Sequence, residues 1–167
     1  MKIAHISDFH LRHHLPGTST ASFRLSRRMP ELLGAVVDQI RAEEPDLVAI
    51  TGDVVDHPFF DMHGADAMAQ GEQDLRLVAE ILQPLSCPLG IVYGNPDHPD
   101  LFRKVFGHLP DDFEVAGHRV PSFCDEEVKH NAPQRPAAPR ERFLAALAGD
   151  EPRRQLPPPP RRLAPER

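Results

Sequence analysis

Cysteine is scarce in this chain: Cys87 and Cys124 are the two thiols in 167 residues. They are too few for a disulfide framework and lack the paired spacing of a zinc knuckle, so both read as buried or incidental thiols. The N-terminus, MKIAHISDFH, has no long apolar stretch. It is neither a signal peptide nor a membrane span by that measure, and the expected location is the cytoplasm. Basic charge is also short over most of the length. From Arg135 onward there are eight Arg against four Asp and Glu, whereas the preceding part carries 11 Lys and Arg against 21 Asp and Glu. Such an acidic domain makes a poor nucleic-acid binder through a basic surface. Bound cations would reverse the sign locally, so phosphate substrates stay open. A Gly-rich phosphate loop is missing, which weighs against a nucleotide-binding module, and there are no internal repeats.

What is present is ordinary for a globular protein: 40% hydrophobic and 26% charged residues, enough for one domain with one core. Residues 2–7 predict a short buried strand, 47–51 a second and 88–93 a third, each apolar and each ending in a polar loop. Between them, 30–44 predicts a helix with proline in its first turn and Leu32, Leu33, Val36, Val37 and Ile40 on one face. Residues 72–85 predict another, through Leu75, Val78, Ala79 and Leu82. A short helix over 99–106 and a hairpin of 113–116 with 119–124, turning at Gly117-His118, follow. Residues 140–148 predict one more short helix, and the Pro/Arg-rich stretch 149–167 predicts a disordered tail.

Strands alternating with helices argue for an α/β fold with a parallel sheet, whose ligands bind at the carboxyl ends of the strands. Three polar clusters fall at those ends: Asp8-Phe9-His10, Gly52-Asp53-Val54-Val55-Asp56 and Gly94-Asn95. Asp8 and His10, two apart on a loop, can offer a carboxylate oxygen and an imidazole nitrogen to one ion. Asp53 can bridge two ions through its two oxygens, and Asn95 adds an amide oxygen. Mixed carboxylate, imidazole and amide donors suit Mn, Fe or Zn. Asp56 reads as a group that orients a ligand or caps the loop. His13, His14, His57 and His63 read as surface or cleft-edge residues, His108, His118 and His130 as solvated loop residues, and Phe59-Phe60 as a core edge.

The motifs DFH at Asp8, GDVVD at Gly52 and GN at Gly94, in order and each after a strand, resemble the first three motifs of the calcineurin-like metallophosphoesterase family. The resemblance covers residues 1–148 and implies one phosphoesterase domain over them. It implies a partial αββα sandwich, mainly the first sheet with its flanking helices. It also implies metal-dependent hydrolysis of phosphate esters, phosphodiesters included, by a metal-activated water. By the same resemblance Asp8 and His10 hold one ion, Asp53 bridges two, and Asn95 holds the second. The substrate class is then a small-molecule phosphoester, with no nucleic-acid or membrane partner.

Two departures from the family pattern stand out. Its third motif is Gly-Asn-His followed by Asp or Glu, and here Pro96 occupies the histidine position. His98, two residues on, is the remaining imidazole of the loop and the candidate catalytic residue, provided the loop rearranges. The later histidines of the family are not found; Gly117-His118-Arg119-Val120 imitates the last motif without its second histidine. The domain therefore reads as incomplete, with a truncated or frame-shifted C-terminus. Two functions follow: an impaired metallophosphoesterase, or a non-catalytic homologue that binds at most one ion; under either, the uncovered first sheet predicts self-association.

Overall fold

The computed structural model describes residues 1–17, 23–128 and 132–148. The predicted tail over 149–167 and His130 lie outside these residues. Three parallel strands, β1 (Ile3–Ile6), β2 (Leu47–Thr51) and β3 (Leu89–Val92), pair in the order β1-β2-β3, with Ile3 opposite Leu47 and Val48 opposite Leu89. Three helices join them or follow them: α1 (Met29–Glu43), α2 (Ala65–Leu82) and α3 (Pro99–Phe106). A hairpin, β4 (Asp112–Val115) with β5 (His118–Pro121), comes next. A second antiparallel pair, β6 (Glu126–Val128) with β7 (Ala132–Gln134), leads to α4 (Ala137–Leu147).

The helices start and stop for local reasons. Both α1 and α3 carry proline at the first positions, where a missing N–H costs nothing, with Glu31 and Asp100 in their first turns. Glu44 ends α1 in a left-handed conformation (φ 47°), just before Pro45. All three helices cover one face of the sheet. Leu33, Val37 and Ile40 of α1, Leu75, Val78 and Leu82 of α2 and Leu101, Phe102, Val105 and Phe106 of α3 join Val48 and Ile50 in one core.

The opposite face is covered unevenly. Val115 and Val120 of the hairpin pack on Leu47, and Cys124 packs on Ala49 and Val92. Burial pushes the Cys124 thiol up to about 11, so it stays protonated and inert near neutral pH. Among the described residues, nothing comparable covers β1. Its residues alternate between exposed (Ile3, His5) and half-buried (Ala4, Ile6). The expectation of a buried first strand is thus corrected: β1 is a sheet edge with exposed residues, because the hairpin packs on Leu47 of β2 and Cys124 on β2 and β3.

Two further expectations change. Helix α2 begins at Ala65 rather than 72, because its first two turns bury the small residues Ala67 and Gly71, which carry little hydrophobic signal. Phe59 and Phe60 sit on a 3-10 turn (Phe59–Asp61) and are exposed, Phe60 to 92%, rather than forming a core edge. Among the described residues, no helix is long and apolar enough to cross a membrane.

An open edge with an exposed Ile3 is a template for pairing with another chain. Ile3→Lys is expected to reduce concentration-dependent self-association without lowering the melting temperature, as read by light scattering coupled to size exclusion. A monodisperse monomer before the substitution would show that the edge is not sticky.

Candidate metal centre

Beyond the ends of β1 and β2 the two strands keep running side by side as loops. The Asp8 amide donates to the Gly52 carbonyl (3.2 Å), His10 to Asp53 (2.8 Å), Leu11 to Val54 (3.1 Å) and Asp56 to Leu11 (3.0 Å). Leu11 and Val55 form a parallel bridge. Within this frame the backbone is left-handed at Asp8 (φ 59°), His10 (φ 45°), Gly52 (φ 88°) and Asp53 (φ 53°). Non-glycine residues adopt such angles at a cost of about 1–3 kcal/mol each, usually where a functional geometry requires it.

The result is a compact donor set. Nε2 of His10 lies 3.3 Å from Oδ2 of Asp53 and 3.9 Å from Oδ1 of Asp8. One ligand atom from each of the three falls within 4.8 Å of the others. His10 and Asp53 are buried, whereas Asp8 is exposed. Gly94 completes the wall: a Cβ there would collide with Oδ1 of Asp53, and one on Gly52 would come within 2.9 Å of the Gly94 backbone. Two carboxylates and an imidazole on strained, tightly packed loops fit a divalent transition ion.

The third loop is tied in by Asp97. Its carboxylate, 1% exposed, accepts from the amides of Val54 (3.1 Å), Val55 (2.8 Å) and Gly94 (2.7 Å). Burial pushes this carboxyl up to about 6, against the lowering effect of those amides. Asn95, half-buried, sits at the turn directly after Gly94, the residue that packs on Asp53. Pro96 follows it, buried. His98 is 3% exposed, and the contacts of its ring are with His57 and His63 rather than the carboxylates. His118 bonds the Ala116 carbonyl in the hairpin, whose Val115 packs on Leu47 at the opposite end of β2, so it does not complete a second metal position.

Further polar residues surround the donor set, one expected from its motif and others not. Asp56 takes the place expected of it: its Oδ1 is 3.9 Å from Nδ1 of His10. Arg12 holds it through a side-chain bond (3.0 Å) and a bond to its carbonyl (2.8 Å), and Nη1 of Arg24 lies 3.6 Å from it and 3.3 Å from Nδ1 of His10. Asp74 of α2, fully buried, accepts from the amides of His13, His14 and Leu15 and from the His14 ring. Arg27 takes the carbonyls of His13 and Leu15 in the same loop. Arg12 and Asp74 find partners some 44 to 61 residues away, so no local pattern marks them, whereas Asp56 lies within the second motif.

Three strand-end loops, a carboxylate–imidazole donor set and a helix-covered parallel sheet define a metal-dependent hydrolase architecture. Residues 1–144 match the calcineurin-like phosphoesterase family, and the chain belongs to it. This is a family of metal-dependent phosphoesterases that work with divalent ions. Among solved structures, the chain is similar to a dimetal phosphatase from Danio rerio, with a TM-score of 0.56 and 17% identity over 87% of this chain and 51% of that one. A protein of Thermus thermophilus gives a TM-score of 0.49 and 18% identity over 92% of this chain and 65% of that one. The chain spans about half the length of the zebrafish structure. No curated protein sequence matches.

Removing the Asp97 carboxylate leaves three amides buried without an acceptor. Asp97→Ala is expected to cost on the order of 3 kcal/mol or more and to weaken metal binding in the fraction that folds. Thermal melting followed by circular dichroism and metal titration check both; an unchanged melting temperature would show that the loops hold together without it.

Proposed function

We propose that this chain hydrolyses small-molecule phosphoesters with a divalent ion, Mn, Fe or Zn, held by Asp8, His10 and Asp53, and that its activity is impaired. The observation that carries the proposal is the convergence of those three donors, each on a left-handed residue at a strand end. A bound ion there supplies Lewis acidity toward a phosphoryl oxygen and activates a water. Asp53 and Asn95 offer the ligands of a second, weaker position. Asp56 orients the His10 ring, and Arg24 brings positive charge to the edge of the centre, which suits an anionic ester. Proton donation by His98 requires its ring to leave the contacts with His57 and His63. A cytoplasmic location accords with this function but rests on sequence alone.

A second function, metal binding without turnover, is favoured by one specific feature. Pro96 stands where the family has a histidine, and proline offers neither a side-chain donor nor an N–H.

The two functions share a metal test. Asp53→Ala is expected to abolish Mn²⁺ binding at this centre while leaving the fold largely intact, and the unaltered chain is expected to hold a single Mn²⁺ tightly. Elemental analysis and titration check this; undiminished Mn²⁺ in Asp53→Ala would overturn the assignment.

Turnover separates them. Pro96→His restores the family's third motif and is expected to raise hydrolysis of an aryl phosphodiester roughly 100-fold or more, the usual worth of a positioned proton donor. The comparison is made at saturating Mn²⁺ and equal metal content. Equal, measurable rates would show that position 96 is not the catalytic one; no turnover in either protein would favour the non-catalytic homologue.

A further inference from the structure

Four of the large apolar side chains that this chain leaves in solvent stand on the two loops that lead to the metal centre: Phe23 (85% exposed), Leu25 (51%), Phe59 (48%) and Phe60 (92%). The others among the described residues are Met1 and Ile3 at the amino end of the sheet and Leu144 and Leu147 on α4. Apolar residues scattered singly over a surface are ordinary, whereas several at the mouth of one site mark a contact surface. Phe23 and Leu25 flank Arg24 between β1 and α1. Arg24 turns inward, with Nη1 3.3 Å from Nδ1 of His10 and 3.6 Å from Asp56, and its two neighbours turn outward. Phe59 and Phe60 follow Asp56 by three and four residues. His57 and Pro58 before them are buried, which corrects the expectation that His57 lies at a cleft edge; the chain dips inward there and returns to the surface with two rings.

Basic charge gathers on the first of these loops. Residues 9–30 hold four Arg and three His and no Asp or Glu, in a chain of net charge -6. Within 23–28, FRLSRR, three Arg stand among the two exposed apolar residues, and the side chain of Arg28 is more than half exposed. On the second loop the acidic neighbour of the two rings is Asp61, whose carboxylate folds back onto Gly64. An acidic molecule with one basic, apolar-tipped face is repelled by an anionic surface in every orientation except the one that presents this face.

A ring that is 92% exposed encloses no part of a small ester; only something that comes to it covers it. Rings projecting singly from two separate loops suit a soft apolar phase, whereas a folded partner would need a pocket for each. Aromatic and leucine side chains beside arginine are also the composition of segments that lie in a membrane interface. We propose that residues 23–28 and 59–60 dock the mouth of the metal centre on an anionic lipid bilayer, and that the phosphoester cleaved there is carried by a lipid of that surface. The apolar tips enter the acyl boundary and the arginines meet the headgroup phosphates. Contact is with the surface alone, since no described helix can span the bilayer. The lipid substrate rests on the hydrolysis proposed above, in which an ester and one water give an alcohol and a phosphate, the water's proton passing to the leaving alcohol.

Flotation on a density gradient tests the docking, because aggregated protein stays at the bottom. The full chain is expected to float with vesicles of phosphatidylcholine and phosphatidylserine in equal parts, to float poorly with phosphatidylcholine alone, and to be released as salt rises. Phe23→Ser combined with Phe60→Ser changes two exposed rings. It is expected to weaken partitioning about 100-fold, roughly tenfold for each ring, with the circular dichroism spectrum and the Mn²⁺ stoichiometry unchanged. The same double substitution is expected to lower headgroup release from the vesicles and to leave hydrolysis of a water-soluble aryl phosphodiester as it was. A chain that binds Mn²⁺ but does not float overturns the docking and leaves the hydrolysis standing. Flotation without Mn²⁺ binding overturns the hydrolysis, and the lipid substrate with it, but not the docking. Flotation that survives the double substitution overturns the rim. Retention on an immobilised phosphopeptide without flotation overturns the lipid in favour of a protein partner.

Discussion

The carboxylate of Asp97 is the point on which the three strand-end loops depend. A parallel sheet gives its loops no mutual contact beyond the last ladder bond, and the first two here are joined by extending that ladder through Leu11 and Val55. The third loop has no such extension. It is held by one buried carboxylate that accepts amides from Val54 and Val55 of the second loop and from Gly94 of its own. Because these bonds converge on backbone, they fix the path of the chain rather than a side chain. Gly94 is thereby pressed against Asp53, and Asn95 follows it in the turn. Asp97 acts on the donor set through the backbone it holds, and burial raises its carboxyl to about 6.

The strain at Asp8, His10 and Asp53 is the counterpart of that clamp. Three left-handed non-glycine residues within one site oppose folding by a few kcal/mol together. They persist because bonds on either side over-determine them: Asp74 and Arg27 hold 13–15, Arg12 holds Asp56, and Asp97 holds 54–55. A divalent ion, bound only when the loops are in place, would offset the remaining cost, so metal binding and order at this end of the sheet are coupled. The opposite end of the sheet, where the hairpin packs on Leu47, has no part in this coupling.

Much of this arrangement is legible from residues alone. The second strand, 47–51, and the third helix, 99–106, stand at their expected bounds because proline, glycine and a continuous apolar run mark them. Asp8, His10 and Asp53 come together as their motifs imply. What is not legible depends on contacts distant in sequence. The start of α2 hides behind alanine and glycine, and Gly71 is small because a histidine ring from the second loop lies on it. The exposure of β1 follows from how far a later hairpin reaches, which no property of residues 3–6 encodes. Asp74 looks like one more acidic residue on an exposed helix face until the loop that it binds, sixty residues earlier, is placed against it.

Pro96 shows how separable scaffold and chemistry are in this loop. Proline removes an N–H, but the bonds that shape the turn run from the Asp97 amide to the Gly94 carbonyl and from the Gly94, Val54 and Val55 amides to the Asp97 carboxylate. None needs a donor from residue 96. Proline at 96 is therefore compatible with the clamp and with the contact of Gly94 on Asp53. The geometry of the Asp8–His10–Asp53 donor set is thus independent of the side chain at position 96. The same clamp delivers His98, two residues later, into the imidazole cluster beside α2. There its ring contacts those of His57 and His63, so it faces away from the Asp8–His10–Asp53 carboxylates.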